Sequence, residues 1–478
     1  MSSKSHHQIL SALLIICLLI GNIVLTGCGK QQTSYQFVVS VLVMSGEGNV
    51  SPDYGTFKEG DSVTLTAASA SGWTFDHWGG SVNSSQNPAT IVVNGDKAVY
   101  AYFRKLISPP ATPIQTIAPD TVVVFPDANL DQTIREAIGK PTADIHQSDL
   151  NALTFLNATL RGISDLTGIE HCTSLWYLAL GGNSMSDISA LSGLTSLQYL
   201  YLYNNSVSDI SALSNLTNLW CLGLNTNHIS NVSALSGLTG LSRLYLVDGN
   251  LSNISPLSSL TNLTWLELRN NSISDISALS GLSNLEFLTL YDNQISNISA
   301  LSGLTNLDVL SLDDNNISDI SALSGLTNLD ALDLRNNSIT NMSALSGLIN
   351  LWSLRLYNNS ISDISPLSGL TNLSELYLQD NDISDISALS GLSNMVSLKL
   401  DNNNISDMSA LSGLTALTWL YLYNNNISDL KPLVDNGGLL LRTGYVAQVV
   451  YVGNNPLSET SLNVYIPILE SRGITVYR

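Results

Sequence analysis

Thirteen aromatic residues recur on a 22-residue spacing between Leu175 and Asn425: Tyr177, Tyr199, Tyr201, Tyr203, Tyr245, Trp265, Phe287, Tyr291, Tyr357, Tyr377, Trp419, Tyr421 and Tyr423. Counted from the first leucine of each unit they fall at positions 3, 5 and 7, thirty-six places that would hold two or three aromatics at the chain average of 7%. Rigid rings bury large areas against a partner, so the chemistry they offer is recognition rather than bond making. Arg243, Glu267, Arg269, Asp313, Asp333, Arg335, Arg355, Glu375 and Lys399 stand among them and add charges that discriminate between partners. Tyrosine also suits strands through packing alone, a baseline that the enrichment exceeds.

A second row, at position 13, reads Asp187, Asp209, Asp275, Asp319, Asp363, Asp385, Asp407 and Asp429, with Asn231, Asn253, Asn297 and Asn341 in the remaining units. Strands stack about 4.8 Å apart, so calcium could bridge such a column of carboxylates. Ser-Asp-Ile-Ser reads more simply as a turn cap in each unit, with the asparagines relieving like-charge repulsion. Catalysis finds no constellation: past residue 27 the histidines are His77, His146, His171 and His228, none spaced as a metal ligand or a base. No cofactor is implied. Cys172 replaces a core leucine and Cys221 falls at outward position 3, so no disulfide between them is expected.

These residues are positioned by a unit repeated twelve times without insertion or deletion, for example LQYLYLYNNSVSDISALSNLTN from Leu197 to Asn218. Positions 4, 6, 11, 14, 17 and 20 are apolar, and position 9 is Asn183, Asn205, Asn227, Asn271, Asn293, Asn315, Asn337, Asn359, Asn381, Asn403 or Asn425, with Gly249 as the one break. L-x-L points two leucines to one side of a short strand while positions 3, 5 and 7 face solvent. No unit can bury its own leucines, so units stack and their strands align into a parallel sheet. The spelling L-x-x-L-x-L-x-x-N at this period is that of a leucine-rich repeat horseshoe. Position 9 lies where the chain leaves the sheet, and its amide can satisfy backbone groups that the turn would bury. The Ser- and Asp-rich return half is too short for a helix and reads as extended chain with single 3₁₀ turns. The class is therefore a mainly α/β solenoid, with the sheet on the concave face and 3₁₀ turns on the convex one.

Residues 1–27 carry Lys4, an apolar run from Ile9 to Leu25 and then Leu25-Thr26-Gly27 before Cys28, the layout of a secretory signal. Residues 28–34 form a polar tether, and 35–103 hold short β-branched and aromatic runs between Gly, Pro, Asn and Asp, a small all-β module. In it, Asn94-Gly95 predicts a tight hairpin, and Trp73, Phe75 and Trp78 read as core rather than as a sugar platform. Residues 104–121 are a Pro-rich linker, 122–160 a helical cap with one helix in PDANLDQTIREAIG, stopped by Gly139 and Pro141, and a shorter helical pattern around Ser148 to Phe155, 161–457 the repeats, and 458–478 a closing cap. Near the end the ladder spacing stretches from 22 to 30 residues, between Asn425 and Asn455. The formal net charge is −20, and −21 once Lys4 is removed with the leader, which excludes nucleic acid as a partner.

Leu25-Thr26-Gly27-Cys28 resembles the lipobox of bacterial lipoproteins, which implies cleavage before Cys28, acylation of its thiol and attachment to the membrane outside the cytoplasm. Residues 35–103 resemble the divergent B repeat of bacterial surface proteins through Gly48, Ser51-Pro52, Gly60 to Thr66, Gly72-Trp73-Thr74-Phe75, Trp78, Asn94-Gly95 and Tyr102-Phe103. The cap, the first repeat Leu160 to Ile169 and the units that follow resemble internalin-type surface proteins. The resemblance implies a non-enzymatic, lipid-anchored cell-surface protein that binds a protein ligand, with adhesion as its role. A structural envelope component that binds itself or a glycan is the alternative.

Overall fold

The computed structural model describes residues 36–58, 60–95, 97–106, 120–439 and 448–478. The signal segment, Cys28, the tether and most of the Pro-rich linker lie outside them. The chain forms two compact units that divide after residue 118.

The first unit has seven strands: β1 (Gln36–Ser45), β2 (Gly48–Ser51), β3 (Tyr54–Lys58), β4 (Ser62–Ser69), β5 (Trp73–Gly80), β6 (Ala89–Val92) and β7 (Lys97–Lys105). They make a four-stranded sheet in the order β3-β1-β7-β5 and a three-stranded sheet β2-β4-β6. Alternation along β4 turns Val63, Leu65 and Ala67 inward. Trp78 is fully buried, its Nε1 donating to Gln86 O at 3.0 Å, and Trp73 and Phe75 pack on the same core. Gly48 lets the Phe103 ring approach; a Cβ there would lie 2.3 Å from it. The hairpin expected at Asn94-Gly95 is not formed. β6 pairs with β4 and β7 with β1 and β5, so the turn carries the chain from one sheet to the other instead of joining paired strands.

The second unit opens with helix α1 (Ala128–Ile138), which buries Leu130 and Ile134 over the first repeat. Asp127 Oδ1 caps it, accepting from Asn129 N at 2.9 Å and Leu130 N at 3.0 Å, while Oδ2 accepts from Ser164 N at 2.8 Å. Partial burial works against the ionised form of Asp127, but these N–H donors outweigh it and hold its carboxyl below the usual range. Gly139, left-handed at φ 70°, ends the helix. The second expected helix is one turn only, α2 (Gln147–Leu150), because Phe155 already begins strand β8 (Phe155–Asn157).

Fifteen parallel strands follow in strict sequence order, beginning with β8. β9 (Tyr177–Ala179) to β20 (Trp419–Tyr421) are the twelve repeat strands, each three residues long and paired in register with the next. Leu200, Leu202, Val207, Ile210, Leu213 and Leu216 of one unit are all at most 2% exposed, and the same positions stack into one core from Val123 to Ile474. The return halves form 3₁₀ turns such as Ser211–Leu213.

Position 9 is a hydrogen-bonded ladder. Asn315 Nδ2 donates to Leu290 O at 3.0 Å and Leu312 O at 3.1 Å, and its Oδ1 accepts from Ile295 N at 2.9 Å. Leu290 O also accepts from Asn293 and Leu312 O from Asn337, so each rung shares its carbonyls with its neighbours. The preceding position 8, as at Asn204 and Asn270, is left-handed in every unit from Asn204 on, which explains the recurrent Asn and Asp there. Position 13 is the turn cap: Asp187 Oδ1 and Asp385 Oδ1 each accept from the Ser N two residues on at 2.8 Å, and Asn231 Oδ1 does the same at 2.9 Å. A third row, unforeseen from sequence, runs along position 22, where Asn218 Nδ2 donates to Thr195 O at 2.8 Å.

The far end holds helix α3 (Lys431–Asp435), strand β21 (Val449–Tyr451), a π turn over Ser461–Tyr465, helix α4 (Ile466–Ser471) and β22 (Thr475–Tyr477). Pro467 sits in the first turn of α4, where no N–H is required of it. Despite the 30-residue spacing, Asn455 completes the ladder, donating to Leu422 O at 2.8 Å and accepting from Ile427 N at 3.0 Å.

Candidate recognition surface on the concave sheet

Three-residue strands leave positions 3 and 5 facing out of the sheet, and position 7 just beyond it. At the N-terminal end the rings do not stand free. Phe155 and Tyr177 stack at 4.4 Å, Trp176 meets Tyr199 at 5.6 Å, and Tyr199 meets Trp220 at 5.4 Å. Tyr199 is left 1% exposed and Tyr177 7%, so these two expected ligand contacts are packing residues. The cause is position 2, where Trp176 and Trp220 lie beside the position 3 rings. Cys221, also at position 3, is 2% exposed and donates to Tyr201 Oη at 3.4 Å. Burial pushes its thiol up to about 11 and that of Cys172 to about 12. Tyr201 and Tyr245 remain partly open, and burial raises both phenols. Tyr203 is 38% exposed and lies on Gly181, where a Cβ would come within 2.2 Å of its ring.

The array continues through Arg243, whose guanidinium carbon lies 5.1 Å from the Trp220 ring and 5.9 Å from Trp265. Trp265 stacks on Phe287 at 3.6 Å and donates from Nε1 to Glu267 at 2.9 Å. Arg269 donates to Tyr291 Oη at 2.7 Å and lies 3.6 Å from Glu267.

The middle of the sheet is ionic. Arg335 reaches Asp313 at 2.7 Å and Asp333 at 3.5 Å, and Arg355 reaches Asp333 at 3.7 Å and Glu375 at 3.9 Å. Asp313 is fully buried, and its desolvation outweighs the guanidinium, so its carboxyl lies above the usual range. Asp333 is pushed up to about 6, first by burial and then by the Asp313 charge.

Beyond it cations and rings alternate. Arg335 lies over Tyr357 at 5.6 Å, Arg355 over Tyr377 at 5.5 Å, and Lys399 between Tyr377 at 4.5 Å and Tyr421 at 5.1 Å. Tyr421, Tyr451 and Tyr477 stack in turn at 4.5 and 4.6 Å. Tyr423 is 41% exposed and accepts from Asn454 Nδ2. Glu375, Tyr377, Ser397, Lys399, Trp419 and Tyr421 line a shallow depression of about 250 Å³. Sequence reasoning missed Tyr451 and Tyr477, although V-V-Y and T-V-Y spell the same strand after the longer spacing; it also missed Trp176 and Trp220, whose position 2 falls outside the outward positions 3, 5 and 7.

One further regularity emerges. From Leu175 to Asn425 the only Lys and Arg residues are Arg243, Arg269, Arg335, Arg355 and Lys399, and all five lie on this face.

A solenoid with an ordered, aromatic and charge-paired inner sheet defines a leucine-rich repeat binding protein. The family described as Leucine Rich repeats (2 copies) matches residues 173–215, 261–303, 305–347, 349–391 and 371–414, and the Divergent InlB B-repeat domain matches 39–106. The crystal structure of an internalin, inlF from Listeria monocytogenes, is 41% identical over 66% of this chain and 94% of its own, with a TM-score of 0.64. The leucine-rich repeat protein LIC12759 of Leptospira interrogans shares the fold at 22% identity, over 70% of this chain and 97% of its own, with a TM-score of 0.57. The functional domain of InlJ from Listeria monocytogenes does so at 24%, over 73% and 78%, with a TM-score of 0.58. No protein with a curated description matches. The chain belongs to the internalin family of leucine-rich repeat proteins, bacterial surface proteins that bind rather than catalyse.

Proposed function

We propose that this chain is a lipid-anchored adhesin-like protein, held to the outer side of the membrane through Cys28, that binds a protein ligand on its concave sheet. What carries the reading is the segregation of all five cations between Leu175 and Asn425, with most of the aromatics, onto one face. Stacking, cation–π contacts and ion pairs already fix these side chains, so little conformational entropy is lost on docking. The ligand contacts are Tyr201, Tyr203, Arg243, Tyr245, Trp265, Glu267, Arg269, Phe287, Tyr291, Arg335, Arg355, Tyr357, Tyr377, Trp419, Tyr421 and Tyr423. The B-repeat module and the Pro-rich linker serve as spacers that carry the solenoid away from the membrane.

The test is a pull-down from envelope and neighbouring-cell extracts with the full chain beside a variant carrying Tyr201→Ala, Tyr245→Ala, Trp265→Ala and Tyr291→Ala, both checked by melting. A protein kept by the parent and lost by the equally folded variant supports the reading. Equal retention, or retention only of polysaccharide or of a second copy, defeats it in favour of a structural envelope role. Anchoring is tested separately: Cys28→Ser moves the protein from the detergent phase to the aqueous phase if the lipid is what holds it.

A further inference from the structure

We propose that the concave sheet takes hold of acidic side chains of its protein partner at two points, Arg243 and Lys399. The inference rests on the reading of this sheet as the protein-binding surface and adds the chemistry of what docks there. Three of the five cations on the face are neutralised from within: Arg269 by Glu267, Arg335 by Asp313 and Asp333, and Arg355 by Asp333 and Glu375. Arg243 and Lys399 have no carboxylate within 4.0 Å among the described residues. Each is held instead between two rings, Arg243 by Trp220 and Trp265, Lys399 by Tyr377 and Tyr421. Aromatic contacts fix a cation in place but leave its charge without a counterion. At Lys399 burial works against the ammonium, and Asp401 and Glu375, both beyond ion-pair distance, offset it only in part, so its pKa stays lowered and an arriving anion restores the charge.

The surroundings favour a carboxylate over a sugar. All four rings are already in contact with a second group: Trp220 with Tyr199, Trp265 with Phe287, Tyr377 with Arg355 and Tyr421 with Tyr451. None of the four rings that hold the two cations keeps both sides open for a pyranose to stack on; Trp419, which also lines the depression, is set beside the ammonium rather than over it. At Lys399 the small Ser397 sits between Glu375 and Trp419 along position 3, and the depression of about 250 Å³ that results has room for a side chain beside the ammonium. Arg243 begins strand β12 (Arg243–Tyr245) and Lys399 ends β19 (Ser397–Lys399), seven strand steps apart. At about 4.8 Å per step that is roughly 34 Å, which one protein interface of ordinary size spans and a short peptide does not. Because the whole chain carries a net charge of −20, a generally acidic partner is repelled at long range. The fitting partner therefore presents its acids locally, on a surface that is otherwise neutral or basic.

The experiment pans two display libraries of one small folded scaffold against the full chain. One library allows Asp and Glu at its randomised positions; the other has Asn and Gln in their place. The expected result is recovery at least tenfold higher from the acidic library. Its clones lose affinity at least tenfold on Lys399→Gln and on Arg243→Gln, keep it on Arg243→Lys, and keep it on Lys431→Gln, outside the sheet. Equal recovery from the two libraries, including none from either, overturns the proposal, as do clones that bind both Gln variants within twofold of the parent. Clones of that second kind that still fail on the four-aromatic variant leave the concave-face reading standing; clones indifferent to that variant as well defeat both.

Discussion

Asn315→Ala probes the device that makes every unit of the solenoid alike. In the folded chain its Oδ1 is the acceptor of the Ile295 N–H, and Ile295 is fully buried, so alanine leaves that donor without a partner. Its Nδ2 is one of two donors to Leu290 O and one of two to Leu312 O, and those carbonyls keep Asn293 and Asn337. Asp313 O, a third contact at 3.1 Å, keeps the backbone N–H of Asp292. An orphaned buried donor costs about 1–3 kcal/mol, and a carbonyl reduced from two donors to one loses about 0.5–1 kcal/mol. The expected destabilisation is therefore about 2–5 kcal/mol. Gly249 has already made this deletion in the chain itself, removing the acceptor for Ile229 N–H and a second donor for Leu224 O and Leu246 O. Gly249→Asn should run the other way, with a smaller gain of about 1–2 kcal/mol, because its Cβ must displace Asn271 Oδ1, 2.9 Å away. Guanidinium unfolding followed by tryptophan fluorescence measures both, and hydrogen exchange at Ile295 reads the lost bond locally. A loss below about 0.5 kcal/mol for Asn315→Ala, with Ile295 still protected, refutes the argument.

Tyr199→Ala should cost about 3–5 kcal/mol of stability, since the ring is buried among Trp176, Tyr177 and Trp220, whereas Tyr203→Ala should cost under about 1 kcal/mol; equal losses would contradict the assignment of Tyr199 to packing. Asp333, raised to about 6 when folded against an ordinary 3.8, binds its proton more tightly in the native state. Its contribution to stability therefore grows as pH falls from 7 towards 4, and the melting temperature of the parent should rise relative to Asp333→Asn between pH 7 and 5; a constant difference would dismiss the shift. Cys172 and Cys221, buried and with thiols raised to about 12 and 11, should resist iodoacetamide at pH 8 in the native protein and react on unfolding. Rapid native labelling would mean that the strands open locally.

The solenoid was legible because its information is periodic: a leucine at position 4 has one possible environment, and twelve copies state it twelve times. The ladder and the turn caps followed from the same repetition, since Asn and Asp at fixed offsets have few backbone groups to reach. What escaped was set between units rather than within one. Whether Tyr199 faces a ligand or a neighbour depends on Trp176 and Trp220, which belong to the units before and after its own and are off the face by simple alternation. The ionic centre was visible as a list of charges, but that Arg243 and Lys399, of the five cations on the face, have no carboxylate within 4.0 Å among the described residues depends on distances across strands. In the N-terminal module Asn94-Gly95 has the spelling of a hairpin, and only the pairing of β6 with β4 shows that the chain is changing sheets there.

The confinement of the five cations between Leu175 and Asn425 to the inner sheet has a consequence for survival outside the cell. Proteases of trypsin-like specificity cut after Lys or Arg and need loosened chain around the bond. Over the stretch from Leu175 to Asn425 each such bond lies in or next to a strand paired on both sides, and the turns and outer face, where chain is easiest to lift, carry neither Lys nor Arg. The same arrangement that concentrates contact chemistry on one surface leaves the rest of that stretch without a bond such a protease can cut.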